Sequence, residues 1–134
     1  MNETTATTTT EGAGPEAQFR AFLASGRFMI QRSISTGAHV FYPRLAVPGT
    51  GARDLAWVEA SGFGTVYATT VTRLRPNPDG SSADTNIAIV ELDEGPRMMS
   101  RVEGIAPETV TIGMRVKARI ALLDGAPGIV FDPA

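Results

Sequence analysis

Ser33, Thr36, Val47 and Thr50 stand at the spacing from which two cysteine pairs would hold a zinc ion. The first stretch is Gln31-Arg32-Ser33-Ile34-Ser35-Thr36-Gly37. The second is Pro43-Arg44-Leu45-Ala46-Val47-Pro48-Gly49-Thr50-Gly51. With Cys at the four positions they would read Q-R-C-x-x-C-G and P-R-x-x-C-P-x-C-G, the frame of a tetrahedral four-thiolate site. The chain contains no cysteine, and neutral hydroxyls are poor zinc ligands. The frame therefore predicts a ribbon that has lost its metal, and no metal site is assigned. Zinc supplies much of the folding free energy of such small modules. Without it the knuckle must be held by Phe28, Ile30, Val40, Phe41, Tyr42 and Trp57, or by the surface of a partner.

Cations offer a second chemistry. Between Met114 and Leu122 the residues alternate, with Met114, Val116, Ala118, Ile120 and Leu122 on one face and Arg115, Lys117 and Arg119 on the other. Arg97 and Arg101 are expected on an adjacent strand, facing the same way. Guanidinium forks match phosphate geometry, so these five residues form a candidate phosphate clamp. The plainer alternative is the polar outer face of a half-solvated strand.

Catalytic groups are not assembled. Glu91, Asp93 and Glu94 cluster at a strand end, which could serve a general base or a weak cation site but reads more simply as a solvated turn. His39 is the single histidine, with neither nucleophile nor orienting partner signalled around it. Ser61 lies in Ser61-Gly62-Phe63-Gly64, which is not a G-x-S-x-G elbow. Gly62 and Gly64 fit a bend in a strand better than a phosphate loop. Packing is the expected role of Tyr67 and Phe63. With no coupled acid, base and nucleophile, the chain is expected not to be an enzyme.

The elements that must position these residues follow from the pattern. The 134 residues carry a net charge of −2 and 43% hydrophobic residues, which suits a small soluble core and gives no general attraction to nucleic acid or anionic membrane. Residues 1–14 are polar and of low complexity, and are expected to be disordered. They show no signal-peptide pattern, and no apolar run reaches membrane-spanning length, so a cytoplasmic protein is the default. Residues 15–26 predict a helix, opened by Pro15, striped by Phe19, Phe22 and Leu23, and closed by Gly26. Residues 27–55 predict the metal-free ribbon, with Phe28–Gln31 and His39–Tyr42 as hairpin strands around a turn at Gly37. Residues 56–134 predict a β-domain. Trp57, Val58 and Ala60 lead into the glycine bend, and Thr65 to Leu74 is a strand rich in Thr, Val and Tyr. A Pro-rich loop follows from Arg75 to Asp84. Ile87 to Leu92 reads as a strand buried on both faces. Asp124-Gly125 predicts a hairpin turn before a short last strand, Ile129-Val130-Phe131. The fold class is mainly β: a short helix, a degenerate rubredoxin-like ribbon, then a barrel of OB type.

This order of parts resembles the rubredoxin-like zinc ribbon/OB-fold family of acyl-CoA-associated domains of unknown function. The likeness runs from about Phe19 to Pro133. Besides the ribbon frame, it rests on Trp57 to Val71, Ile89 to Arg97, Ile112-Gly113-Met114-Arg115-Val116 and Phe131-Asp132-Pro133. The resemblance implies an accessory subunit of thiolase-like enzymes, including lipid-transfer-protein-type thiolases and aldolases, or of hydratases. In such assemblies the partner carries the chemistry, and the small subunit stabilises it and helps form the acyl-CoA channel. It implies no cofactor bound by this chain alone, with acyl-CoA shared with the partner, and it makes coenzyme A the ligand of the candidate clamp. The departure is the missing ligand set at Ser33, Thr36, Val47 and Thr50. A rival reading is an OB-fold module binding single-stranded nucleic acid. Net negative charge and nine aromatic residues, several needed for the core, count against it.

Overall fold

A computed structural model describes residues 14–47, 49, 51–73, 75–81 and 84–134. The expected disordered lead, apart from Gly14, and the frame position Thr50 lie outside the described residues. Two compact units emerge: Met1–Ala60 with Ile120–Gly128, and Ser61–Arg119 with Ile129–Ala134.

In the first unit the helix α1 (Pro15–Ala24) starts on proline at its first position, where a missing N–H costs nothing. Its end is a Schellman closure, as the Arg27 N–H donates to Phe22 O and the Gly26 N–H to Leu23 O, both at 2.9 Å. Gly26 takes φ +87° there, a left-handed value that glycine adopts without a Cβ penalty. The apolar stripe packs on a three-stranded antiparallel sheet ordered β2-β1-β3, formed by β1 (Met29–Ser33), β2 (His39–Val40) and β3 (Leu55–Glu59). Phe19 meets Phe28 and Phe41 edge-on, with ring centroids 6.4 and 5.4 Å apart. Phe22 lies 5.3 Å from the Trp57 ring, and the Trp57 Nε1–H donates to Gln18 Oε1 at 2.7 Å. Leu23, Phe28, Ile30, Val40 and Val47 are buried.

Residues 55–59, read from the sequence mainly as the approach to the barrel, pair instead with β1, from Met29 opposite Glu59 to Ser33 opposite Leu55. The reason is register: this strand brings Trp57 against the helix, so its apolar content serves the first unit.

The second unit is built on a five-stranded antiparallel sheet ordered β6-β5-β4-β7-β8, of which the tip of the last hairpin, Ile120–Gly128, groups with the first unit. Its strands are β4 (Phe63–Thr72), β5 (Thr85–Leu92), β6 (Arg97–Ser100), β7 (Arg115–Leu123) and β8 (Ala126–Pro133). A parallel bridge between Val102 and Phe131 joins the far ends of the order, so the sheet curls as an OB-type barrel does. Val66, Val90, Leu92, Val116, Val130 and Phe131 are almost wholly buried. Gly64 has no room for a side chain, since a Cβ there would lie 2.6 Å from Val90 Cγ1 and 2.8 Å from the Glu91 carbonyl.

The hairpin turn falls at Asp124-Gly125 as expected, both residues having positive φ. The last strand is longer than Ile129–Phe131. Ile87 to Leu92 is not buried on both faces: Ala88, Val90 and Leu92 point inward, while Ile87 remains 38% exposed. Apolar residue type alone did not distinguish the two sides of this strand.

Candidate functional site

The knuckle at the frame positions is organised by hydrogen bonds. Ser33 is fully buried. Its Oγ donates to Asp54 Oδ1 at 3.2 Å and accepts from the Thr36 N–H at 3.3 Å. The Ser35 N–H donates to Asp54 Oδ2 at 2.7 Å, and the Gly37 N–H closes the turn onto Ser33 O at 2.8 Å. The Asp54 carboxyl is held below its ordinary range, first by the Ser35 hydroxyl and backbone, against an opposing effect of burial that exceeds the smaller help from Ser33. At the second knuckle buried Val47 exchanges backbone bonds with its own loop, donating to Ala52 O and accepting from the Gly51 N–H. Gln31, buried on β1, anchors this segment in both directions: its amide donates to Arg44 O at 2.7 Å and accepts from the Arg44 N–H at 2.6 Å. Of the side chains expected to hold the ribbon, Phe28, Ile30 and Val40 are buried, whereas Tyr42 is half exposed. Asp54 lies outside the paired frame, and no spacing rule singles it out. Among the described residues no three His, Asp or Glu side chains converge on a metal-sized site.

The five candidate cations do not form one clamp. Arg97 was expected beside β7, yet β6 is separated from β7 by β5 and β4. Arg97 Nε lies 3.7 Å from Glu91, and its guanidinium carbon stands 3.7 Å over the Tyr67 ring. Arg115 makes a two-pronged pair with Asp93 at 2.8 and 3.0 Å and a further bond to Thr65 Oγ1. These contacts raise Arg115 above, and lower Asp93 below, their ordinary values, the mutual hydrogen bond leading in each case. Arg119 grips Asp132 with two bonds, 2.8 and 3.1 Å, and reaches Glu103 at 3.0 Å. Its guanidinium is raised and Asp132 lowered by the same hydrogen bonds. Arg101 Nε is ion-paired to Glu103 at 2.8 Å without hydrogen-bond alignment, so Glu103 links Arg101 to Arg119. Among the described residues Lys117 has no ion-pair partner, and its ammonium lies 5.2 Å from the Phe63 ring.

The acidic cluster dissolves into these pairs. Glu91 serves Arg97, Asp93 serves Arg115, and Glu94 accepts the Ser61 N–H at 2.7 Å. Ser61 is a turn residue, its Oγ accepting the Phe63 N–H. Exposed pairs of this kind contribute little to stability, and the carboxylates compete with any phosphate for the guanidiniums.

A concavity of about 290 Å³ lies between Asp84, Asn86, Arg101, Glu103 and Ile105. Asn86 beside it is buried and structural: its amide donates to Thr69 Oγ1 at 2.6 Å and Thr70 O at 3.1 Å, and its oxygen accepts the Val102 N–H at 3.0 Å. Phe63 and Tyr67, expected to pack, are instead 36 and 48% exposed. No described helix is long and apolar enough to cross a membrane.

The C-terminal OB-fold domain of ChsH2 is the family description that matches, over residues 57–121. Among solved structures, a chain of the Ltp2-ChsH2(DUF35) aldolase is similar with a TM-score of 0.75 and 31% identity, over 89% of this chain and 94% of that one. A probable enoyl-CoA hydratase alpha subunit of Thermomonospora curvata is 37% identical over 111 residues, or 81% of this chain and 34% of its own length. A DUF35 domain-containing scaffold protein of Methanocaldococcus jannaschii is 36% identical over 75 residues, covering 54% of this chain and 53% of that protein. The chain thus spans about a third to about a half of the length of these curated relatives.

Proposed function

The chain belongs to the DUF35 family of ChsH2-type OB-fold proteins, and from that premise we propose that it is a non-catalytic accessory subunit of a thiolase-like, aldolase or hydratase enzyme acting on acyl-CoA. The observation that supports this most is the similarity, over nearly the full length of both chains, to a component of the Ltp2-ChsH2(DUF35) aldolase. The side chains agree with a supporting role. Glu91 and Asp93 are taken up by Arg97 and Arg115, and Glu94 accepts the Ser61 N–H, so the acidic segment is committed to pairing. The partner supplies the catalytic groups, and this chain stabilises the partner and assists its acyl-CoA site. The cations Arg97, Arg101, Arg115, Lys117 and Arg119 are the proposed contacts for coenzyme A phosphates.

The test is co-expression with a thiolase-fold, aldolase or hydratase subunit from the same genome, followed by size-exclusion chromatography. Co-elution, with higher activity or solubility of the partner, is expected. Separate elution, with partner activity unaltered by the chain, overturns the proposal. The nucleic-acid reading draws on one observation, the exposed Phe63 and Tyr67 rings with cations above them. A salt-dependent shift with a labelled single strand is its signature.

A further inference from the structure

The exposed side of β5 continues across its neighbours. Ile89 stands opposite Met99 on β6 and Ala68 on β4, and Ile87 stands opposite Thr70. Phe63 stands opposite Lys117 on β7. Tyr67 sits at the register shift between Val66 and Ala68, on the same side as Arg97, which covers its ring. Ile87 and Met99 are 38 and 60% exposed. Together with Phe63 and Tyr67 they form an apolar band over three strands, β6, β5 and β4, edged by Arg97 and by Arg115 and Lys117 of β7. An exposed band of this kind on a small domain marks an interaction surface.

We propose that this outer face of β6-β5-β4-β7 is where the catalytic subunit docks, through an apolar patch edged by a carboxylate that meets Lys117. The proposal rests on the accessory-subunit reading and deepens it by naming the surface. Charge decides between occupants. A second copy of the chain in a two-fold contact offers Lys117 no free carboxylate, since Glu91 and Asp93 already serve Arg97 and Arg115, which disfavours self-association. A nucleic-acid strand would meet Lys117 but would leave the apolar band of Ile87, Met99 and Tyr67 uncovered. An acidic-rimmed protein surface satisfies Lys117, and it covers the apolar band, which a phosphate backbone does not.

The experiment measures binding of the full chain to the catalytic subunit from the same genome, by calorimetry, with circular dichroism confirming the fold of each variant. Met99→Glu and Tyr67→Glu are each expected to weaken binding at least about 30-fold, the effect of losing an interface hot spot. Lys117→Glu is expected to slow association and flatten its salt dependence. Ile34→Glu, at an exposed site in the three-stranded unit, is expected to bind as the wild type does. Wild-type affinity in both face variants overturns the surface and leaves the accessory-subunit reading standing. So does loss of binding in Ile34→Glu alone. Absence of wild-type binding overturns both. Tight single-strand binding that Lys117→Glu and Tyr67→Glu abolish assigns the face to nucleic acid, and also overturns the proposal.

Discussion

Asp54 Oδ2 accepts a 2.7 Å hydrogen bond from the backbone N–H of Ser35. Its other oxygen accepts from the Ser33 hydroxyl, which in turn takes the Thr36 N–H. The segment that would carry the first thiolate pair is thus tied to a carboxylate reaching in from beside β3. A charged acceptor gathering loop N–H and O–H donors makes stronger bonds than a neutral one. This is one physical answer to how the turn persists without thiolates.

Asp54→Ala should lower the midpoint of thermal unfolding at neutral pH, with Asp54→Asn intermediate. The folded-state value of Asp54 is depressed below the ordinary 3.8. Its contribution is therefore complete above about pH 4 and is lost as pH falls through the lowered folded-state value. The gap between wild type and Asp54→Ala should narrow on acidification below that point. Thermal melts across a pH series check this, and a constant gap would contradict it.

Gly64→Ala should destabilise the second unit by about 1–3 kcal/mol, the usual cost of overpacking, because the new methyl meets the stiff Val90 side chain and the Glu91 backbone. Gly128→Ala should cost less. There the close neighbour is the Leu123 side chain, with its Cδ1 at 2.5 Å, and a leucine can change rotamer. Urea unfolding of the two variants compares them directly.

Asn86→Leu should cost about 1–3 kcal/mol, the penalty for leaving the buried Val102 N–H without an acceptor. Asn86→Asp keeps the acceptor but turns an oxygen toward Thr70 O, so it should also destabilise at neutral pH. Chemical denaturation of both variants measures the two effects.

Elemental analysis of the purified chain should find no stoichiometric zinc, because the frame offers no thiolate. One equivalent of zinc would require ligands of another kind and overturn the reading of the frame.

Much of the fold was legible because it rests on local rules. Pro15 and Gly26 bracket the helix through fixed and left-handed φ, Asp124-Gly125 makes the tight turn, and alternation from Met114 to Leu122 marks β7, although of its apolar side only Val116 is buried and Leu122 is 74% exposed. The site was less legible. Alternation placed Arg115, Lys117 and Arg119 on one face. It could not show that Asp93, Glu103 and Asp132 arrive from distant positions to occupy two of the three. Nor could it show that β5 and β4 stand between Arg97 and that stripe.

The sequence by itself determined where the chain turns, which residues could not bind metal and which family the order of parts resembles, since each depends on residue type and near neighbours. Only the tertiary structure decided that Asp54 ties down the first knuckle, that Leu55–Glu59 completes the ribbon sheet, and that Ile87 faces outward beside Phe63, Tyr67 and Met99. Those outcomes depend on strand register and on charges brought together across dozens of residues, which no local pattern encodes.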